Sequence, residues 1–169
     1  GQVIAIIFAL MINEVRNMKL KKTIQTITYL PHFVSWVIFA TVLKYVIGTN
    51  GLIESALSQA GIRISILGTA SIFPAVMIVT ETMKEFGWSA IIYLAALTAV
   101  DQGLYEAAEM DGASRWKQTI HVTLPGIRNV IVLNAVLSLG GILNAGFDQI
   151  FNMYNTLVMS TGDILDTWV

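Results

Sequence analysis

Long apolar runs alternate with short polar breaks along the chain. The first run is GQVIAIIFALMI at residues 1–12. Twelve helical residues reach about 18 Å, short of the roughly 30 Å hydrocarbon core, so this run reads as the tail of a partial span. After the polar NEVRNMKLKK, a second apolar run covers 23–47. It is long enough to cross, and Pro31 near one end is tolerable where neighbouring groups satisfy the freed carbonyl. A stretch broken by Gly48, Gly51, Gly61 and Gly68 follows. A third apolar run covers 72–99, interrupted by Glu81, Lys84 and Glu85. Next comes the polar LYEAAEMDGASRWKQTIHVTLPGI. Pro125 then stands where a helix begins, a favoured place for proline, and the last span is expected over 126–150. The chain opens inside an apolar run and STGDILDTWV ends without a natural close, so the expectation is of a piece of a longer bundle. All of 1–169 reads as one transmembrane domain.

Composition supports the membrane reading. The 169 residues are 55% hydrophobic and 12% charged, with a mean hydropathy of +0.69, whereas a soluble domain is about 25% charged. A net charge of -1 argues against nucleic acid as a partner, which needs a concentrated basic surface. Cysteine is absent, so disulfide and thiolate chemistry are excluded. The first run lacks the basic n-region and small-residue cleavage site of a signal peptide. Orientation follows from the loops. Arg16, Lys19, Lys21 and Lys22 crowd the first, and Arg115 and Lys117, with Arg128 just beyond, mark the polar segment. The two remaining loops hold only Arg63, while Lys44 lies near a helix end and can snorkel. Two spans separate the basic loops, so both fall on the cytoplasmic side.

Charges inside a span cost about 2.5–3.5 kcal/mol each on insertion scales and normally face a bundle interior or a wet cavity. Glu81, Lys84, Glu85 and Trp88 share one helical face by their i, i+3, i+4, i+7 spacing, and Lys84 can partly neutralise Glu81. They either line a polar pathway, with Trp88 stacking on a sugar ring, or sit at the outer interface where Gly87 breaks the helix. A second stripe, Asn134, Ser138, Gly141, Ala145 and Asp148, follows one face of the last span. Its small members suit helix packing. Asn144, Asp148 and Gln149 are the better candidates for a polar solute, because packing does not need a carboxylate.

Catalytic patterns are missing. The sequence holds no phosphate-cradling G-x-x-x-x-G-K-[ST], no H-E-x-x-H and no G-x-S-x-G. His32 and His121 lie on different segments without ligand spacing, so no metal site is expected. Ser114 to Lys117 fits S-x-x-K formally but lacks that motif's companions. No catalytic residue is assigned, and the chain is not expected to be an enzyme.

The polar segment has local order. Leu104 to Met110 is rich in helix formers, with Leu104, Ala107, Ala108 and Asp111 along one face. Asp111-Gly112 stops that helix, glycine taking the left-handed cap conformation readily. Ser114 is a cap for a second short helix, Arg115 to His121, and Leu124-Pro125 launches the next span. Ordinary connections run about two to eight residues, so a longer one with its own helices reads as a docking element.

EAAEMDGASRWKQTIHVTLP resembles the EAA loop of the permease subunits of binding-protein-dependent ABC importers. The family pattern is Glu-Ala-Ala, three residues, Gly, nine residues, an aliphatic residue, any residue, Leu-Pro. Glu106, Ala107, Ala108, Gly112, Val122, Leu124 and Pro125 stand in those places, with Val122 where isoleucine is commoner. YLPHFVSWVIFATVL, KEFGWSAIIYLAAL and GGILNAGFDQIFNMYNTLV are similar to the carbohydrate branch that takes complex oligosaccharides and polysaccharide fragments. The resemblance implies an all-α polytopic transmembrane helix bundle of the type I ABC importer permease (MetI-like) kind. Such permeases have about six spans, so the first and last are expected to be missing here. It implies a multi-pass protein of a bacterial cell membrane (plasma or inner), surrounded by lipid, with the coupling loop 101–125 in the cytoplasm. Its implied partners are two copies of an ATPase subunit, a second permease subunit and an extracellular or periplasmic solute-binding protein. No cofactor is expected on this chain, ATP and Mg being used by the ATPase subunits. Glu106 and Asp111 would supply polar contacts to the ATPase, Ala107 and Ala108 the close approach, and Gly112 the turn. A secondary transporter and a membrane-embedded enzyme are the alternative classes. The first gives no reason for the EAA spacing, and the second lacks a complete catalytic set.

Overall fold

A computed structural model describes residues 1–49, 51–62, 65–141 and 146–164. Asn144, Ala145 of the small-residue stripe, and Arg63 lie outside the described residues. In chain order the helices are α1 (Gln2–Glu14), α2 (Met18–Phe33), α3 (Trp36–Ile47), α4 (Leu52–Gln59), α5 (Phe73–Thr98), α6 (Gln102–Met110), α7 (Arg115–Gln118), α8 (Leu124–Gly126), α9 (Arg128–Gly141), α10 (Phe147–Met153) and α11 (Met159–Gly162). A π-helical turn, Thr119–Thr123, joins α7 to α8. Among the described residues there is no strand.

Three of these boundaries have sequence-level causes. Asn17 caps α2, its side-chain oxygen accepting from the Lys19 and Leu20 amides at 3.0 and 3.2 Å. The run expected as one span over 23–47 is two helices. Pro31 lies in the last turn of α2, and Ser35, in extended backbone, accepts from the Ile38 amide at 3.4 Å and starts α3. By contrast α5 runs 26 residues without a break, about 39 Å at 1.5 Å per residue. Gly87 does not interrupt it. The expected span 126–150 is also divided. Gly146, at φ 66°, precedes α10 in the left-handed region, which a continuous α-helix does not allow. Asp148 therefore belongs to a different helix from Asn134 and Ser138, and the predicted single stripe does not form.

Contacts group the chain into two compact units. Gly1–Thr28 and Phe86–Leu143 form the first. Its core is Ala5, Ala9, Ala90, Tyr93, Leu97, Val100 and Ile127. Ala5 and Ala9, one turn apart and fully buried, let α1 lie close to α5 at Ala90, as small residues do between apolar helices. Phe8 meets Phe86 edge-on at 5.2 Å, and the Gln2 side chain donates to the Asn134 carbonyl at 2.7 Å, tying α1 to α9. Tyr29–Glu85 and Asn144–Val169 form the second unit. There α3, α5 and α10 share a core of Ala40, Leu43, Leu67, Phe73, Met77, Met153 and Val158. Beyond α10 the Tyr154 hydroxyl donates to the Asp163 carboxylate. That hydrogen bond is the main cause raising the Tyr154 pKa above its ordinary value.

Candidate functional site

The polar loop is built as one piece. Asp101 caps α6, its carboxylate accepting from the Gly103 amide at 2.9 Å. At the other end the Gly112 amide donates to the Glu109 carbonyl at 3.0 Å and the Ala113 amide to Ala108 at 2.9 Å. This pair of 5→2 and 6→1 bonds is the Schellman closure, with Gly112 at φ 73°. Ser114 stands at the start of α7, but its hydroxyl makes no cap bond. The bend is fastened instead by buried Gln118, which donates to the Ala113 carbonyl at 3.1 Å. The second helix, expected over Arg115 to His121, stays α-helical only to Gln118. Proline at 125 has no N–H for the His121 carbonyl, and its ring would clash with it. The chain widens to a π turn there, and the Leu124 amide reaches back five residues to Thr119. Thr123, buried in that turn, meets the Tyr105 hydroxyl at 3.0 Å, which ties α6 to the base of the loop. The α7–α8 segment and α9 then meet at a 59° bend.

What this loop presents is a mixed surface. Glu106, Ala107, Asp111 and Gly112 are exposed, Ala108 is half-buried, and Met110 and Trp116 are 89% and 72% exposed. Leu124 is half-buried and Pro125 exposed at the foot of the loop. Exposed apolar side chains and carboxylates along one loop suit a partner with both apolar and cationic groups.

The polar residues of the apolar helices divide into two kinds. Lys84 is only 5% exposed and pairs with Glu85 Oε1 at 3.2 Å, not with Glu81. Its ammonium also donates to the His32 carbonyl at 3.1 Å and lies 5.3 Å from the Trp36 ring centre. Glu85 in turn meets His32 Nδ1 at 2.7 Å. Glu81 and Trp88, expected on the same stripe, are exposed. Gln149 is buried as well, its amide donating to the Met77 carbonyl at 2.7 Å and to Thr80 Oγ1 at 2.8 Å. It stitches α10 to α5 with both hydrogens of its amide nitrogen. Asp148, its neighbour in the first turn of α10, is exposed. His32 joins the Lys84 group, a role that its isolation in the sequence gave no hint of. Among the described residues no group of three metal-binding side chains forms.

Gln149→Leu tests the stitch. It leaves the Thr80 hydroxyl short of a donor and removes two buried hydrogen bonds, each deletion being worth about 1–3 kcal/mol when a buried group is orphaned. A drop in the thermal midpoint of the solubilised protein is the expected outcome, and an unchanged midpoint would count against the packing role.

Apolar helices joined by a capped, exposed polar loop define a helical membrane component. The chain belongs to the family of inner membrane components of binding-protein-dependent transport systems, whose model matches residues 1–149. This is a family of transporter permeases, located in the membrane, and not of enzymes. The polygalacturonan/rhamnogalacturonan transport system permease protein YteP of Bacillus subtilis (strain 168) is 44% identical over 169 residues, covering 98% of this chain and 52% of that protein. The crystal structure of a bacterial ABC transporter involved in the import of the acidic polysaccharide alginate superposes with a TM-score of 0.93 at 38% identity, over 99% of this chain and 59% of that one. A second crystal structure, of the alginate transporter in complex with an alginate pentasaccharide-bound periplasmic protein, gives 0.91 at 38% identity, over 98% and 58%. The fold is the all-α bundle of ABC importer permeases. The chain spans about half the length of the curated relatives it matches.

Proposed function

We propose that the protein is the transmembrane permease subunit of an ATP-driven importer for a sugar or oligosaccharide. It forms part of the translocation pathway and is driven through its EAA loop. The observation that carries this reading is the loop. Glu106-Ala107-Ala108 lies on a capped helix that Gly112 closes in the left-handed conformation, and the Tyr105 and Gln118 hydrogen bonds anchor it to the next helix. A short helix held at both ends moves with the bundle as a rigid body. ATP and Mg act on two ATPase subunits, whose cleft would receive Glu106, Ala107, Ala108 and Asp111 on the cytoplasmic side. A second permease subunit completes the pathway, and an extracellular or periplasmic solute-binding protein delivers the carbohydrate. In this reading the chain crosses the membrane several times, and the charge of the two basic loops supports their facing the cytoplasm.

Exposed Asp148, Trp88 and Glu81 are the pathway candidates of this chain, together with Asn144; Lys84 and Gln149 serve as supports. The test is uptake of labelled oligogalacturonides and alginate oligosaccharides by proteoliposomes holding the full-length protein with its ATPase, second permease and binding protein. ATP-dependent uptake is expected. Asp148→Ala should lower it about tenfold with normal complex yield, the loss of one polar contact of about 1.4 kcal/mol. Uptake driven by an ion gradient without ATPase subunits would establish the secondary-transporter reading instead.

A further inference from the structure

We propose that the break between α2 and α3 is a hinge of the transport cycle and that Lys84 is its latch. The inference rests on the permease reading. The helical hydrogen-bond ladder is interrupted at the break. Across Val34 and Ser35 the backbone makes one i→i-3 bond, Val34 amide to Pro31 carbonyl at 3.2 Å, and the Ser35 cap is long at 3.4 Å. Element-terminal residues of this kind absorb the φ/ψ change of hinge motions.

One ammonium bridges that gap. Rooted in α5, Lys84 donates to the His32 carbonyl in the last turn of α2 at 3.1 Å. Carbonyls there lack helical donors and carry the negative end of the helix dipole, so a cation is favoured. The same ammonium lies 5.3 Å from the ring of Trp36, the first residue of α3, a cation–π distance. Glu85 closes the group by accepting from Lys84 and meeting His32. Rotating α3 against the last turn of α2 separates Trp36 from the His32 carbonyl, so the ammonium must give up one of them. Glu85, on the same helix, keeps the ammonium paired, but a buried ammonium that loses a contact needs a replacement for it. Exposed Glu81, one turn back on the same face of α5, is the carboxylate available to it. The ammonium thus has two settings, both beside Glu85: one on the His32 carbonyl and Trp36, occupied here, and one turned toward Glu81.

The experiment places spin labels at Leu30 and Val42, exposed positions on α2 and α3, in the full-length protein within its assembled transporter. Unsubstituted complex should give one distance at rest and a second with ATP. Lys84→Met, which keeps the apolar stem, should populate both distances without ATP and lower carbohydrate uptake about tenfold, within the roughly 5–150-fold of ordinary couplings. Glu81→Gln, at a surface position, should hold the resting distance even with ATP. A single resting distance in the Lys84→Met complex, unchanged uptake in it, or a normal ATP response in the Glu81→Gln complex would each overturn the latch. If the unsubstituted complex takes up no oligosaccharide, the permease reading fails, and the distances alone then judge the latch.

Discussion

Gly112→Val should separate ATP hydrolysis from uptake while Gly112→Asn should not. Gly112 stands at φ 73°, where a β-branched residue is disfavoured by about 1–2 kcal/mol and asparagine is tolerated. A Cβ built there meets nothing within 4 Å, so crowding inside this chain is not the obstacle. The strain would be relieved by opening the Schellman closure, which frees α6 from its bend and turns a lever into a tether. The expected result is an uptake per ATP hydrolysed that falls about tenfold in the valine variant, the equivalent of 1.4 kcal/mol. Asparagine has more side-chain heavy atoms than valine and reaches farther, so a retained asparagine variant identifies backbone conformation as the cause. Equal loss in both would mean that the ATPase surface simply rejects a side chain there, and the lever argument would fall.

The loop was legible because its signals are local. Helix formers from Leu104 to Met110, an acidic cap and a glycine at the stop are all read within a dozen residues, and the closure follows from them. Its foot was less legible. Pro125 signalled a helix start, whereas its missing N–H also widens the preceding turn from α to π, an effect seen only once both sides are helical. Polar residues in the apolar helices were harder still. Spacing placed Lys84 beside Glu81 at i-3, but the fold brings the end of another helix to it, and the His32 carbonyl with Glu85 outcompetes a solvated carboxylate. Gln149 looked like a solute contact because a polar side chain in an apolar run is expensive. The expense is met by Met77 and Thr80 on α5, partners some 70 residues away that no local pattern reveals. In both cases sequence spacing reports neighbours on one helix, and these groups find further partners on another.

Gly87 carries the same lesson with the largest expected effect on stability. In sequence it looked like a helix breaker, yet α5 passes through it unbroken. Its use is proximity. A Cβ at Gly87 would stand 2.1 Å from the Thr28 carbonyl oxygen and 2.7 Å from its carbonyl carbon, so α2 and α5 touch backbone to backbone. Two effects oppose each other in Gly87→Ala. Helix propensity favours alanine by about 0.5–1 kcal/mol. Overpacking costs about 1–3 kcal/mol where side chains can adjust, and here the obstacle is main chain, which cannot rotate aside. The clash wins, and the helices must separate by more than an ångström, at the expense of the contacts around Phe8, Phe86 and Ala90. Gly140 supplies the control, because a Cβ there meets nothing within 4 Å and only propensity acts. Thermal midpoints of the solubilised complex should therefore fall for Gly87→Ala and hold or rise for Gly140→Ala. A midpoint for Gly87→Ala equal to or above that of the unsubstituted protein would show that the helices do not meet at Thr28.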